Sequence, residues 1–403
     1  MMKRNLCAAL AMVVACVWSV GVGAAEPTAT TTLKGLNNPC GIAIQPETGV
    51  VFVSDSGAGK VVKLVDGKAV DVITDFPIDV YGKGPKYNIG PLGLAFIDQK
   101  TLVVGGGGLV DGEELLRIYE VGDEAIKADK MVNSFKLEAT DEIKGEGNFY
   151  GVAVTKEAVF VTCNGDDTKG WVGKAAINGT KVGPFERSIA TKEAVEVDAP
   201  VGVTISPANH LVVGQMGEIS VPGDSLLTYY KTDTGEKLLS YETGLHDITA
   251  LAYGPGETRQ LYALDFAWND VSKGGLFQIV RDQKDGKPAV RCIKLLSLMK
   301  PTAMAFGKDG ELYVTVIGES EDGTTGELVR IDLEGKEEPK KEEPKKEEPK
   351  KEEPKKEEPK KEEPKKEEPK KEEPKKEEPK KEEPKQEEPK KEEPKQDEPK
   401  KEE

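Results

Sequence analysis

Little cysteine, no surplus of positive charge and no long apolar run mark this chain of 403 residues. Five cysteines are present, and Cys7 and Cys16 fall in an N-terminal segment that reads as a signal peptide. Cys40, Cys163 and Cys292 remain, spaced too widely for a disulfide framework or a metal-binding pattern. They read as small buried hydrophobes. A formal net charge of −16 argues against nucleic acid as a partner, because nothing offsets phosphate repulsion. The apolar run at residues 6–22 is short for a membrane span and nothing later is longer, so no transmembrane segment is expected. Only two histidines, His210 and His246, are available for acid–base chemistry near neutral pH. Gly105-Gly106-Gly107-Gly108 is not a phosphate loop, since neither a helix nor Gly-Lys-Ser/Thr follows it.

What the chain does have is one phrase written six times. The first copy is Pro39-Cys40-Gly41-Ile42-Ala43-Ile44, followed by Gly49-Val50-Val51-Phe52-Val53-Ser54-Asp55. Its small anchor residue recurs as Gly93, Gly151, Gly202, Ala250 and Ala303, at spacings of 52, 58, 51, 48 and 53 residues. Each anchor opens a short apolar strand, and a second and a third strand follow at 102–104 and 115–120, for example. Weaker alternating runs such as 69–74, 132–137 and 290–295 supply a fourth. A repeat of this length built from short strands predicts an all-β, six-bladed β-propeller. Gly or Ala at the anchor lets neighbouring backbones approach where the inner strands converge on a central channel.

The last copy stops after three strands. The Thr-rich segment at 29–36 has no blade of its own, so it is expected to pair as the outer strand of blade six and close the ring. Residues 26–335 therefore form the propeller, and residues 1–25 the signal peptide, which predicts a secreted or periplasmic protein. A rival reading takes Val13-Val14-Ala15-Cys16 as a lipoprotein cleavage site that would leave Cys16 lipidated. From Lys336 to Glu403 the chain is a Lys-Glu-Glu-Pro-Lys repeat, interrupted only at Gln386, Gln396 and Asp397 and ending in a partial unit. It has nothing apolar to bury, and a proline every fifth residue outweighs its Glu–Lys pairs, so a disordered C-terminal tail is predicted. Extended, it would reach on the order of 200 Å. It reads as a spacer or as a tether for cell-envelope association, or simply as a solubilising segment.

Ligand sites of propellers usually lie over the channel mouth, on the face carrying the loops that enter each inner strand. Tyr81, Tyr87 and Tyr150 fall on such loops, while Trp171 and Trp268 fall beyond second strands that end at that face. With Lys83 they are the ligand-binding candidates, because aromatic rings stack on sugars, other rings or a partner's side chains. The same rings can equally pack loops against one another. The longest loop, 76–91, suits a shaped surface loop or lid. Asp55 and Asp265 end the second strands of blades one and five, and Asn164 lies one residue past that point in blade three. They are the metal candidates, for calcium, although residues of this type at strand ends commonly bond their own turn. His246 is the candidate general base.

The first copy, with Phe52-Val53-Ser54-Asp55-Ser56-Gly57 and Lys60-Val61, resembles an NHL-type propeller repeat. More broadly the chain is similar to the regucalcin/gluconolactonase group of six-bladed propellers. That resemblance implies a channel-mouth metal held by Glu, Asn and Asp and hydrolysis of sugar lactones. Asp265 and Asn164 sit where such a ring would be, and no Asn-Gly-Leu-x-Trp segment is present. Two functions are therefore expected in contrast: a module binding a protein, small-molecule or carbohydrate ligand through its top-face loops, or a metal-dependent sugar-lactone hydrolase.

Overall fold

Each copy of the phrase folds as a strand pair with the same irregularity. In all six, the register of the first strand against the second slips just before or beside the small anchor: at Pro39/Gly41, Pro91/Leu94, Phe149/Val152, Pro200/Gly202, Ile248/Ala250 and Pro301/Ala303. A bulge at this point bends the strand as it turns into the ring. The computed structural model describes residues 26–82, 84–165 and 169–334. Residues 1–25, expected to be a signal peptide, lie outside them, as do Lys83, residues 166–168 and everything from residue 335 on, the repeat tail included.

Six antiparallel sheets, each with at least four strands, are arranged as blades. Blade one starts with Pro39–Ile44, blade two with Pro91–Phe96, and blade three with Phe149–Val154. Blades four to six start with Pro200–Ile205, Ile248–Tyr253 and Pro301–Phe306. Each inner strand packs beside that of the next blade, and the sixth packs beside the first, so the ring is closed. All six anchors line the channel. A Cβ built on Gly41, Gly93 or Gly151 would lie 2.1, 2.2 or 2.4 Å from the carbonyl oxygen of Leu92, Tyr150 or Val201 in the following blade. Hydroxyls fasten the same seams. Ser54 donates to Leu92 O at 2.6 Å, Thr162 to Val201 O at 2.9 Å, Thr249 to Pro301 O at 2.9 Å and Thr302 to Pro39 O at 2.6 Å.

The outer strand of blade six is Thr28–Leu36, which runs antiparallel to Gly326–Asp332 from Thr28 opposite Asp332 to Leu36 opposite Gly326. The expected closure is thus observed, and it covers a sheet edge that would otherwise stand open. Between each pair of neighbouring blades lies one apolar wedge. Phe52, Ile73, Leu102 and Tyr119 fill the first. Leu33, Leu36, Val53, Val62 and Leu328 fill the last, so the N-terminal strand brings side chains to the core as well as hydrogen bonds. The three cysteines are free thiols, two of them buried.

Two features depart from the sequence reading. The 76–91 segment is not an irregular loop: Asp79–Tyr81 and Tyr87–Ile89 pair as a hairpin, with Tyr81 opposite Tyr87. A short strand, Ile126–Lys127, also leaves blade two and adds in parallel to the edge of blade one.

Candidate functional site

The loops entering the inner strands end on a recurring backbone position. Asn38, Asn148, Ala199 and Lys300 all precede their inner strand with φ between 45° and 53°. This left-handed region suits Asn better than most residues. Asn38 and Asn148 line a cavity of about 90 Å³ at the channel mouth. Its walls are mostly rings and aliphatic chains, with Tyr81, Tyr87, Tyr150, Phe266 and Trp268 the aromatic members. Beside it opens a larger groove of about 930 Å³, where Asp111, Asp198, Lys192 and Asn269 are found. Tyr81, Asn148, Asn164 and Trp268 border both spaces.

The aromatic candidates divide sharply. Trp268 stacks on Phe266 with centroids 4.9 Å apart and planes at 21°, and Tyr87 meets it edge-on at 6.0 Å. The Trp268 N–H donates to Asp247 Oδ2 at 2.5 Å, which fixes the backbone that presents the indole. Tyr150 hydroxyl donates to Thr302 O at 3.2 Å, joining blades three and six across the channel. Tyr150 lines both the mouth cavity and the channel below it, and so forms part of the floor between them. Tyr81 stands on the hairpin, 42 % exposed. Trp171 does not join this group. It begins the third strand of blade three, opposite Cys163 and Ala190, and packs in the wedge between blades two and three.

The three metal candidates are not brought together as a ligand set. Asp55 Oδ1 accepts the Asn37 N–H at 2.6 Å, with Lys60 Nζ 4.0 Å from the other oxygen. Asp265 accepts three backbone N–H groups, from His246 at 3.0 Å, Asp247 at 2.8 Å and Ala267 at 3.1 Å. Both carboxylates tie down their own loops, as acids at strand ends commonly do. Only Asn164 reaches the mouth. Among the described residues no group of three or more His, Cys, Asp or Glu side chains is placed to hold a metal ion. These residues do not fit a calcium site.

His246 likewise serves the loop: its carbonyl accepts the Ser225 hydroxyl at 2.8 Å, and it borders neither space. Cys40 lines the cavity, but burial pushes its thiol up to about 12, which removes it as a nucleophile. The ionisable groups that do face the groove are different ones. Asp198 Oδ2 holds Lys192 Nζ at 2.9 Å while Oδ1 accepts the Ala199 N–H at 2.7 Å. Asp111 lies against the backbone of Gly147 and Gly165, where an added Cβ would come within 2.3 and 2.6 Å of its carboxylate. Asn38 and Asn148 were signalled in the sequence only by their place before an inner strand. Asp111, Lys192 and Asp198 carried no signal, because they converge from a loop of blade two and from the segment that joins blade three to blade four, outside the repeated strands.

No protein-family model matches the chain, and no curated protein matches it. Among solved structures, a glucose dehydrogenase from Thermus thermophilus, described as a putative oxidoreductase, superposes with a TM-score of 0.53 at 16% identity. It covers 76% of this chain and 100% of its own. The soluble aldose sugar dehydrogenase of Escherichia coli gives 0.52 at 13%, covering 76% and 99%. A gluconolactonase from Xanthomonas campestris gives 0.52 at 14%, covering 78% and 92%. At such identities the likeness is one of fold, and it is the propeller fold that the sixfold phrase and the gluconolactonase-type resemblance anticipated.

Proposed function

We propose that the channel mouth binds a sugar-derived ring and that the protein hydrolyses a sugar lactone there. The observation that carries this reading is the Trp268 indole, set between an apolar cavity and a groove bordered by Asn148, Asn164 and Asn269. An aromatic face takes the C–H side of a sugar ring, and flanking amides pair with its hydroxyls. The fold neighbours named for gluconolactonase and sugar dehydrogenase activity support this reading over a protein-docking module. In the groove, Asp111 is the carboxylate that would take the proton from an attacking water and return it to the ring oxygen as the ester C–O bond breaks, leaving the open hydroxy acid. Lys192 is the cation nearest to hand for the oxygen that gains charge as water adds to the carbonyl. His246, Asp55 and Asp265 have no part in it, because each is held by hydrogen bonds within the loops.

The rival is binding without turnover. It is favoured by the inner cavity, whose lining includes no carboxylate and no histidine. Both readings meet one experiment: indicator-monitored hydrolysis of glucono-δ-lactone, with and without added calcium, beside titration of tryptophan fluorescence with the same ring. Turnover above the spontaneous rate supports the hydrolase, and saturable quenching without turnover supports the rival. Trp268→Ala should weaken binding by up to about tenfold, the worth of an aromatic contact. Trp171→Ala should lower the melting temperature and leave affinity unchanged. An unaltered affinity in Trp268→Ala would remove the site from the mouth. The secreted or periplasmic setting, with the repeat tail as spacer or envelope tether, belongs to the same proposal. Fractionation of cells carrying the chain cut after residue 335 tests it, and envelope retention unaffected by the cut refutes the tether.

A further inference from the structure

We infer that the ligand is amphiphilic: a lactone whose ring lies on the groove side of Trp268 and whose substituent, a short alkyl group, fills the apolar mouth cavity down to Tyr150. This rests on the lactone reading above and adds what the ring carries.

Six polar side chains line the cavity without bordering the groove: Asn38, Cys40, Tyr87, Tyr150, Thr249 and Thr302. Five of them are already engaged within the protein. Asn38 Nδ2 donates to Asn88 O at 2.9 Å, and the Cys40 thiol to Asn38 O at 3.2 Å. Thr249 Oγ1 donates to Pro301 O at 2.9 Å, Thr302 Oγ1 to Pro39 O at 2.6 Å, and the Tyr150 hydroxyl to Thr302 O at 3.2 Å. The sixth, Tyr87, has a buried hydroxyl without accessible surface, so what it contributes to the wall is its ring. Ile89, Leu92, Val201 and Ile317 are buried around the same space. A sugar hydroxyl turned into it would give up water and find no replacement, a cost that an alkyl group does not carry.

The two sides of the indole are thus matched to different chemistry. Asn148 and Asn164 border the groove as well as the cavity, and Asp111 and Lys192 are found in the groove. Hydroxyls and the ester belong there, and carbon belongs inside. The cavity also sets a length. A dry cavity of about 150 Å³ holds one benzene, so one of about 90 Å³ takes roughly three to four carbons. Tyr150 closes it below, since the same side chain lines the channel beneath and reaches across to blade six.

The test measures dissociation constants by tryptophan fluorescence for δ-lactones with an n-alkyl chain at C5, from δ-valerolactone, which has none, to δ-undecalactone. Affinity should rise about fourfold with each carbon, the worth of one buried methylene, and stop rising after roughly three to four carbons. A flat series overturns the inference, and so does a rise that continues unbroken to the longest chain. Tyr150→Ala should move the stopping point to longer chains. Tyr150→Phe, which keeps the ring and loses only the hydroxyl, should leave it in place. An unmoved stopping point in a folded Tyr150→Ala overturns the placement of the chain, and if that variant does not fold the wild-type series decides. Binding of glucono-δ-lactone beside a flat alkyl series refutes this inference alone. If neither glucono-δ-lactone nor any alkyl lactone binds, the functional reading fails and this inference with it.

Discussion

Two glycines at equivalent points of the ring should respond oppositely to the same added methyl group. At Gly41 a Cβ would lie 2.1 Å from Leu92 O and 2.9 Å from Ser54 Oγ. At Gly202 the nearest atoms are the backbone of Ala250, all at 3.2 Å. Gly41→Ala therefore requires blades one and two to part by roughly 1 Å, a strain of about 1–3 kcal/mol by analogy with overpacked cores. It also displaces the Ser54 hydroxyl from Leu92 O, a buried bond of 2.6 Å, for about 1–3 kcal/mol more. Their combined cost is about 2–6 kcal/mol. Gly202→Ala asks for a shift of a few tenths of an ångström and gains about 0.4–1 kcal/mol from the stiffer unfolded chain. It should come out within about 1 kcal/mol of the wild type. Blades five and six already carry alanine at this point, as Ala250 and Ala303. Urea unfolding followed by circular dichroism, compared at equal m, reads the difference. Similar losses in the two variants, or a neutral Gly41→Ala, would refute the claim that carbonyl approach selects glycine at the anchor.

Two further outcomes follow from the same geometry. Deleting residues 28–36 removes Leu33 and Leu36, 5 % and 2 % exposed, from the last wedge and opens the Gly326–Asp332 edge. At about 2–5 kcal/mol for each buried leucine the melting temperature should fall steeply and aggregation should rise, and an unchanged melting curve would refute ring closure by this strand. Burial, with the carboxylates of Asp265 and Asp224 adding to it, raises Asp247 from 3.8 to about 6, while the Trp268 N–H opposes the shift. The folded state thus holds this proton more tightly than the unfolded one, and stability declines as pH rises through that window. Asp247→Asn keeps an acceptor for Trp268 and should be more stable than wild type by on the order of 2–3 kcal/mol near pH 7, but not near pH 3. An equal effect at both pH values in parallel urea titrations would contradict it.

The fold was legible because the ring imposes one requirement six times. Every inner strand must pass its neighbour at backbone distance, so the residue there is small in every copy, and periodicity makes it visible. The closing strand was legible by arithmetic, since the last copy lacked a strand and Thr28–Leu36 lacked a blade. The hairpin within 76–91 was not, because its strands are three residues each, joined through Gly82 and Gly84. Segments that short carry no alternation to read.

The site obeys a different logic, and this is why aromatic content alone pointed partly astray. Trp171 and Trp268 follow the second strands of blades three and five, yet one is core and the other borders the cavity. What separates them is the local chain. Trp171 opens an eight-residue strand and is held in a ladder on both sides, opposite Cys163 and Ala190. Trp268 comes three residues beyond the end of its strand, after Ala267 in the left-handed conformation. Its backbone is fastened by Asp247 from the neighbouring entry loop. A residue inside a ladder must face one of the two neighbouring blades, whereas one beyond it is free to be aimed. Asp55 and Asp265 show the converse: their positions repeat, and what repeats is the task of closing a turn. In this ring the repeating polar residues build the frame. The residues that border the channel mouth are those that break the repeat, such as Tyr81 on an inserted hairpin and Trp268 beyond the end of its strand.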